Sequence, residues 1–438
     1  MPLKVCTVDV MEPVNDADLS DGEDGLFCLV TYRRQPVGDL LIRSPAPLVT
    51  AGLLKEKIAE KLGWAIFLEH FRQELAGTRA ANPPHRIRDA QGNPPTVSLV
   101  ICTKDRPDDL RRCLQAIRAL RYPHVEVLVV DNASKGDETR LAAMDYGVRY
   151  VREDKRGLDF ARNRGIREST GRFLAFADDD VIVDPEWVDE LLAGFEDESI
   201  ACATGLTMPA ELASDAQILF ERYGSGGFRK GYERRIFDRL NLPPAAAGKA
   251  GAGANMAFRR EVFDALGAFD EALDCGTPAQ AGGDLDMFYR ILAAGYRIRY
   301  QPSALVWHRH RQTMSELQRQ LQGYGTAVYA FLTKCALEYR DREAAAVGAG
   351  WLRHQLREAM AAAVGRGALP PRLAIREVFG SLAGPIGYLA GKSHASRMRC
   401  REGSERRHPS SDGRDNSGIA AQTLRIARRL RRRNWKPL

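Results

Sequence analysis

Three adjacent carboxylates, Asp178, Asp179 and Asp180, interrupt two apolar runs in the segment GRFLAFADDDVIVDPEW, Gly171–Trp187. Neighbouring carboxylates repel and raise one another's pKa unless something positive sits among them. On a loop leaving a strand, Asp-x-Asp offers hard oxygen ligands close enough to share one Mn2+ or Mg2+, ions that bind through one or two carboxylates plus substrate phosphates. An exposed acidic turn capping a helix near Pro185 would read the same way. Upstream, EDKRGLDFARNRG sets Lys155, Arg156, Arg162 and Arg164 among turn residues. Cations near a metal suit a diphosphate, with a solvated basic face as the plainer reading, favoured for Arg164 but not for Arg162–Asn163 together. Downstream lie Asp284, Asp286, His308 and His310. A carboxylate can take the proton of an attacking hydroxyl, and a histidine can complete a metal shell. Equally, the two Asp could cap the helix that runs to Ala294 and His308 could be a core residue.

These residues need a frame. From Val97 the chain alternates buried strands with helices. VSLVICT (97–103) is a continuous apolar strand of the parallel, doubly covered kind, and Pro107 opens a helix with Leu110, Leu114, Ile117 and Leu120 on one face. VEVLVVD (125–131), VRYV (148–151) and RFLAFA supply further strands, with a helix near 160–168. This predicts an α/β domain with a mostly parallel sheet flanked by helices. Functional groups in such sheets gather at the strands' carboxyl ends, which puts Thr103, Asp131 and the Asp triplet on one rim.

Four regions follow. Residues 1–94 read as a small α+β accessory domain plus linker, with an acidic, poorly ordered first 25 residues, two strands around a Pro/Gly turn (26–42) and a helix at 51–75. The catalytic α/β domain spans 95–312. Residues 313–391 are helical, with GSLAGPIGYLAG (380–391) broken by Pro385 and its glycines, too short to span a membrane but able to dock on one or on the catalytic domain. The tail 392–438 reads as basic and disordered, with 14 Lys/Arg against 4 Asp/Glu. It is suited to peripheral contact with an anionic membrane, and no nucleic acid partner is expected. The eight cysteines show no C-x-x-C spacing, which argues against a zinc site or disulfide framework. No signal-like N-terminus and no apolar run of membrane-spanning length is seen, so the expected location is cytoplasmic, at most at the membrane's inner face.

Taken in order, CTKDRP, VVDNAS, Gly157 to Asn163, the Asp triplet, GANMAFRR, GGDLD and His308 resemble the inverting family-2 glycosyltransferases of GT-A fold, over roughly residues 96–312. The resemblance implies transfer from a nucleotide diphosphate sugar, with uridine the favoured base, to an acceptor hydroxyl on a glycan, lipid carrier or small molecule. It further implies that Thr103, Arg106, Gly157, Arg162, Asn163, Asp179 and Asn255 line the donor site, and that Asp131 meets the base. Asp178 would meet the ribose or metal, Asp180 and His308 would hold Mn2+ or Mg2+, and Asp284 would be the general base. The base usually follows a Glu, and here Gly283 stands in that place. A nucleotidyltransferase is disfavoured, since CTKDRPDD has no glycine for a phosphate loop. A sugar-nucleotide sensor or scaffold is the remaining alternative, though such relatives would be expected to lose the acid triplet or the base.

Overall fold

The computed structural model describes residues 2–405 except 21, 76–86, 88–91, 224–227 and 229, with backbone alone at 401–405. Most of the expected linker and the tail beyond 405 lie outside the described residues.

At the N-terminus the structure corrects the sequence reading. The acidic opening forms a strand, β1 (Lys4–Asp9), paired in parallel with β3 (Gly25–Tyr32), which pairs antiparallel with β4 (Gln35–Arg43). Cys6 and Val8 face the core under α1 (Ala51–Leu75), while Val5 packs the other way, so β1 is covered on both faces. The hairpin turns at Arg33–Arg34, both at positive φ, and not at the Pro/Gly pair, which lies inside β4. Asp9 holds that turn by accepting from both backbone N–H groups, at 3.2 and 2.6 Å. A short pair, β2 (Ala17–Asp18) with β5 (Leu48–Val49), closes the unit.

The central region follows the expected alternation: β6 (Val97–Thr103), α2 (Pro107–Ile117), β7 (Val125–Asn132), α3 (Glu138–Asp145), β8 (Arg149–Glu153), α4 (Leu158–Glu168) and β9 (Phe173–Asp178). Next come β10 (Val181–Val183), α5 (Trp187–Ala193, two residues later than Pro185 suggests), β11 (Ile200–Pro209), α6 (Asp215–Arg222), β12 (Arg235–Phe237), β13 (Asn255–Arg259), α7 (Glu261–Leu266), α8 (Gly283–Ala293) and β14 (Arg297–His308). One sheet results, ordered β10-β14-β11-β13-β9-β6-β7-β8 with β12 beside β14. β8, β7, β6 and β9 run parallel, β13 runs against its neighbours, and β11 and β14 resume the common direction. The sheet is therefore mostly parallel. Register pairs Thr103 with Asp131 and Cys102 with Asp178, so the three strand ends share one rim.

Helices α9 (Met314–Leu337), α10 (Glu343–Ala363) and α11 (Pro371–Glu405) make the helical C-terminal region. GSLAGPIGYLAG does not break: it is the middle of α11. Its glycines are contact points. A Cβ at Gly380 would lie 2.0 Å from Gln322 O, one at Gly384 2.4 Å from Tyr329 Cβ, and one at Gly391 2.1 Å from Ala272 O. Small residues here let the α11 backbone lie directly on α9 and the catalytic domain, while Pro385 sits on the exposed face. Among the described residues, no helix is long and apolar enough to cross a membrane.

Candidate active site

The rim assembles the Asp triplet with cations that the sequence placed elsewhere. Asp179 and Asp180 are buried and Asp178 is half-buried. Arg106, at the start of α2, donates to Asp179 Oδ1 at 3.1 Å and Asp180 Oδ2 at 3.0 Å, and Thr103 Oγ1 donates to Asp179 Oδ2 at 2.7 Å. Arg311 adds a contact to Asp180 Oδ2 at 3.5 Å. Thr103 and Arg106 thus organise the acids first. Burial and the Asp180 charge push Asp178 up to about 6 and Asp179 up to about 7. Asp180 is held below the usual carboxylate range despite its burial, because His308, Arg311 and Arg106 surround it.

One ligand atom each from Asp178, Asp180 and His308 lie within 4.8 Å of one another, the trio expected to hold a metal. The hydrogen-bond network assigns the histidine tautomer. Buried His310 meets Glu221 Oε2 through Nε2 at 3.0 Å, and burial keeps it neutral by lowering its pKa. With Nε2–H donating to Glu221, His310 Nδ1 accepts from His308 Nδ1–H at 3.0 Å. His308 Nε2 then lies 3.2 Å from Asp180 Oδ1, a buried oxygen, and in the neutral imidazole it turns a lone pair toward that carboxylate. An imidazole nitrogen and a carboxylate oxygen so placed are ligand types that suit a divalent cation.

Beneath this layer lies a second charged group. Arg162 is buried and donates to Asp159 Oδ1 at 3.0 Å and Asp274 Oδ2 at 2.6 Å. Its charge also acts on both Asp178 and Asp284. Asp284, in the first turn of α8, accepts from Gly253 N at 2.8 Å and from Leu285 N at 2.8 Å. Burial, then the Asp274 charge, raises its pKa, a direction that favours proton acceptance. Lys230 lies nearby, donating to Gly248 O at 2.6 Å, with burial lowering its pKa to about 8. At Gly283, where a Glu is expected, an added Cβ would lie 2.0 Å from Asp159 Oδ2. The carboxylate of α4 already fills that space.

Several sequence expectations are corrected. Arg162 is a buried counter-ion, taken up by Asp159 and Asp274. Asn163 does not line the rim: its amide donates to Phe269 O at 3.0 Å and accepts from Phe269 N at 2.9 Å, pinning the 269–271 loop. Asn255 is fully buried and patches a bulge between β11 and β14, donating to Leu206 O at 3.0 Å and Ala304 O at 2.8 Å and accepting from Trp187 Nε1 at 2.8 Å. Gly157 N is taken up by Asn132 Oδ1 at 2.9 Å. Asp131 reaches the rim, but Ser134 N and Tyr150 Oη already donate to it, at 2.8 and 2.7 Å. Asp286 is no base either: fully buried, it meets Lys334 of α9 at 2.8 Å, Arg290 at 2.9 Å and Tyr339 Oη at 2.7 Å. Arg164 does pair along its helix with Glu168. Of the residues that sequence reasoning passed over (Asp159, Asp274, Glu221, Arg311), only Arg311 carried a local signal, the alternation HRHR at 308–311.

The family model "Glycosyl transferase family 2" matches residues 98–267, which hold the rim through β13. Residues 98–267 are a family 2 glycosyltransferase domain. Over 261 residues the chain is 28% identical to "O-antigen biosynthesis protein RfbC" of Myxococcus xanthus, covering 55% of this chain and 20% of that protein. It is also 28% identical over 235 residues to "Pre-mycofactocin glycosyltransferase" of Mycobacterium tuberculosis, covering 52% of this chain and 46% of the relative. The chain thus spans less than half the length of these curated relatives. A solved mannosyltransferase, PcManGT from Pyrobaculum calidifontis in complex with GDP-Man and Mn2+, aligns with 86% of this chain and 91% of its own at 18% identity and a TM-score of 0.43. Within the glycosyltransferase domain the Asp triplet closes β9, whereas Asp284 and His308 come from beyond the matched segment.

Proposed function

We propose that this glycosyltransferase domain moves a sugar from a nucleotide diphosphate sugar to an acceptor hydroxyl, with inversion at the anomeric carbon. The observation that carries this reading is the pairing, through Arg162, of an Asp178–Asp180–His308 cation site with a separately held carboxylate, Asp284. Asp284 takes the acceptor hydroxyl proton; Gly253 N–H fixes its orientation. Arg106 and Arg311, whose side chains stay about one-third exposed, are the cations able to reach a diphosphate at the rim. Asp178, Asp180 and His308 would hold Mn2+ or Mg2+, which when bound supplies Lewis-acid stabilisation of the leaving diphosphate. The four regions 1–94, 95–312, 313–391 and 392–438 are read as accessory, catalytic, supporting and tail segments.

Nucleoside diphosphate release from a panel of nucleotide sugars, with and without Mn2+, tests the reading. Asp284→Asn should lower turnover by roughly 10²–10⁴-fold while leaving nucleoside diphosphate affinity near that of the parent. Donor binding without product release across acceptor candidates would point instead to a sensor.

A further inference from the structure

Helix α11 has two apolar faces. One carries the glycines that lie on α9. The other faces solvent and bears Ile375, Phe379, Leu382, Ile386 and Leu389, between 47% and 72% exposed. Their spacing of four, three, four and three residues makes a single stripe roughly 21 Å long at 1.5 Å per residue. Folding does not require it, since the buried face already does the packing. Contiguous exposed apolar surface of this kind marks an interaction site.

Charge selects the partner. The exposed charged residues of α11 through Cys400 are Arg372 and Arg376 at one end of the stripe and Lys392, Arg397 and Arg399 at the other; its one acid within that span, Glu377, is buried. Lys392 and Arg399 contact Glu338 and Glu271, yet both side chains stay at least half exposed. A second copy fits poorly. An antiparallel pair centred on Leu382 would set Arg372 against Lys392, and a parallel pair would set every cation against itself. A helix with an apolar face flanked by cations suits an anionic bilayer, where it lies in the interface plane. We propose that the outer face of α11 docks on an anionic lipid surface.

Position supports a use for this docking. Toward its C-terminal end α11 touches loops beside the reacting groups: His394 Nε2 meets Arg156 O at 2.9 Å, and Gly391 sits against Ala272, two residues before Asp274. If the transfer reading above holds, on which this step rests, the acceptor is one carried by or resting on that membrane.

Flotation of the full chain with phosphatidylcholine vesicles, with or without phosphatidylglycerol, is the test. Leu382→Glu/Ile386→Glu alters only solvent-facing positions and leaves the tail intact. It should lower partition onto phosphatidylglycerol vesicles by at least about tenfold, with unchanged melting temperature and unchanged nucleoside diphosphate binding. If that pair unfolds the chain, Leu382→Ser/Ile386→Ser takes its place with the same expectation. Near 1 M salt, where the Debye length is about 3 Å, the parent should keep residual binding that the variant lacks. Parent-like flotation of the variant would overturn the proposal and leave the tail as the only attachment. Equal binding to pure phosphatidylcholine would overturn the anionic requirement. Loss of a concentration-dependent dimer without change in flotation would assign the stripe to a second copy and overturn it as well. Nucleoside diphosphate binding is read separately, so a failed membrane test leaves the transfer reading standing.

Discussion

Gly283→Glu is the substitution that the family pattern invites, because it would restore a carboxylate ahead of Asp284. The structure predicts that it damages the fold. A Cβ at this position would lie 2.0 Å from Asp159 Oδ2 and 2.5 Å from Oδ1, so Asp159 must move. It has no free space to enter, being fully buried and paired with Arg162 at 3.0 Å. Breaking a buried ion pair costs about 3–5 kcal/mol, and because Arg162 retains Asp274 the lower end applies. For a domain of roughly 200 residues, ~3 kcal/mol lowers the melting temperature by about 6–12 °C. Gly283→Ala brings the same Cβ without charge and should fall comparably in a thermal melt. Asp159→Gly combined with Gly283→Glu moves the carboxylate from α4 to α8 and should recover about 1–3 kcal/mol relative to additivity. If Gly283→Ala melts with the parent, Asp159 does not occupy the space. If the double variant is strictly additive, the two carboxylates are not interchangeable partners of Arg162.

Four further expectations concern the metal and the helical region. Glu221→Leu removes the acceptor that sets the His310 and His308 tautomers, and should weaken Mn2+ binding by about 10- to 100-fold in calorimetry; unchanged affinity would refute the tautomer assignment. Because Asp178 is pushed up to about 6, protons compete with the cation below that pH, and Mn2+ affinity should fall as pH drops from about 7 toward 5. The same raised pKa means that the metal-free folded state holds more protons than the unfolded one between about 4 and 6, so its stability should decline as pH rises through that window, which melts in chelator would show. Lys334→Met strips the cation shared by Asp286 and Asp270 and should cost about 3–5 kcal/mol in denaturant unfolding, whereas a parent-like midpoint would show that the pair does not tie α9 to α8.

What the sequence carried locally came through. Runs such as VSLVICT and RFLAFA, short, mostly apolar and set between helical patterns, read as buried parallel strands, and their ends fix the rim where Thr103, Asp131 and the Asp triplet meet. What depended on distant partners did not. β1 reads as part of an acidic, poorly ordered opening because its covering surfaces come from α1 and from β11. The glycines of α11 read as breaks because their carbonyl and Cβ neighbours lie in α9 and in the 272–278 loop. Asn163 and Asn255 stand beside a rim and so look like ligands, yet each spends its amide on backbone left unpaired by a loop or a bulge.

Gly283 shows the same limit within the site. In sequence it is a gap in an expected pair of acids. In space the second acid is present, delivered by Asp159 more than a hundred residues earlier and held by Arg162. That guanidinium, clamped between Asp159 and Asp274, is almost out of reach of solvent and cannot follow a substrate. Its fixed charge lowers the pKa of Asp178 on one side and Asp284 on the other, against the burial that raises both. A single immobile cation therefore favours the ionised form of both the cation-site carboxylate and the proposed base. Replacing Arg162 with Lys, which cannot fork between two carboxylates, should accordingly disturb metal affinity and the pH profile of turnover together. A change in only one would separate the two halves of the site.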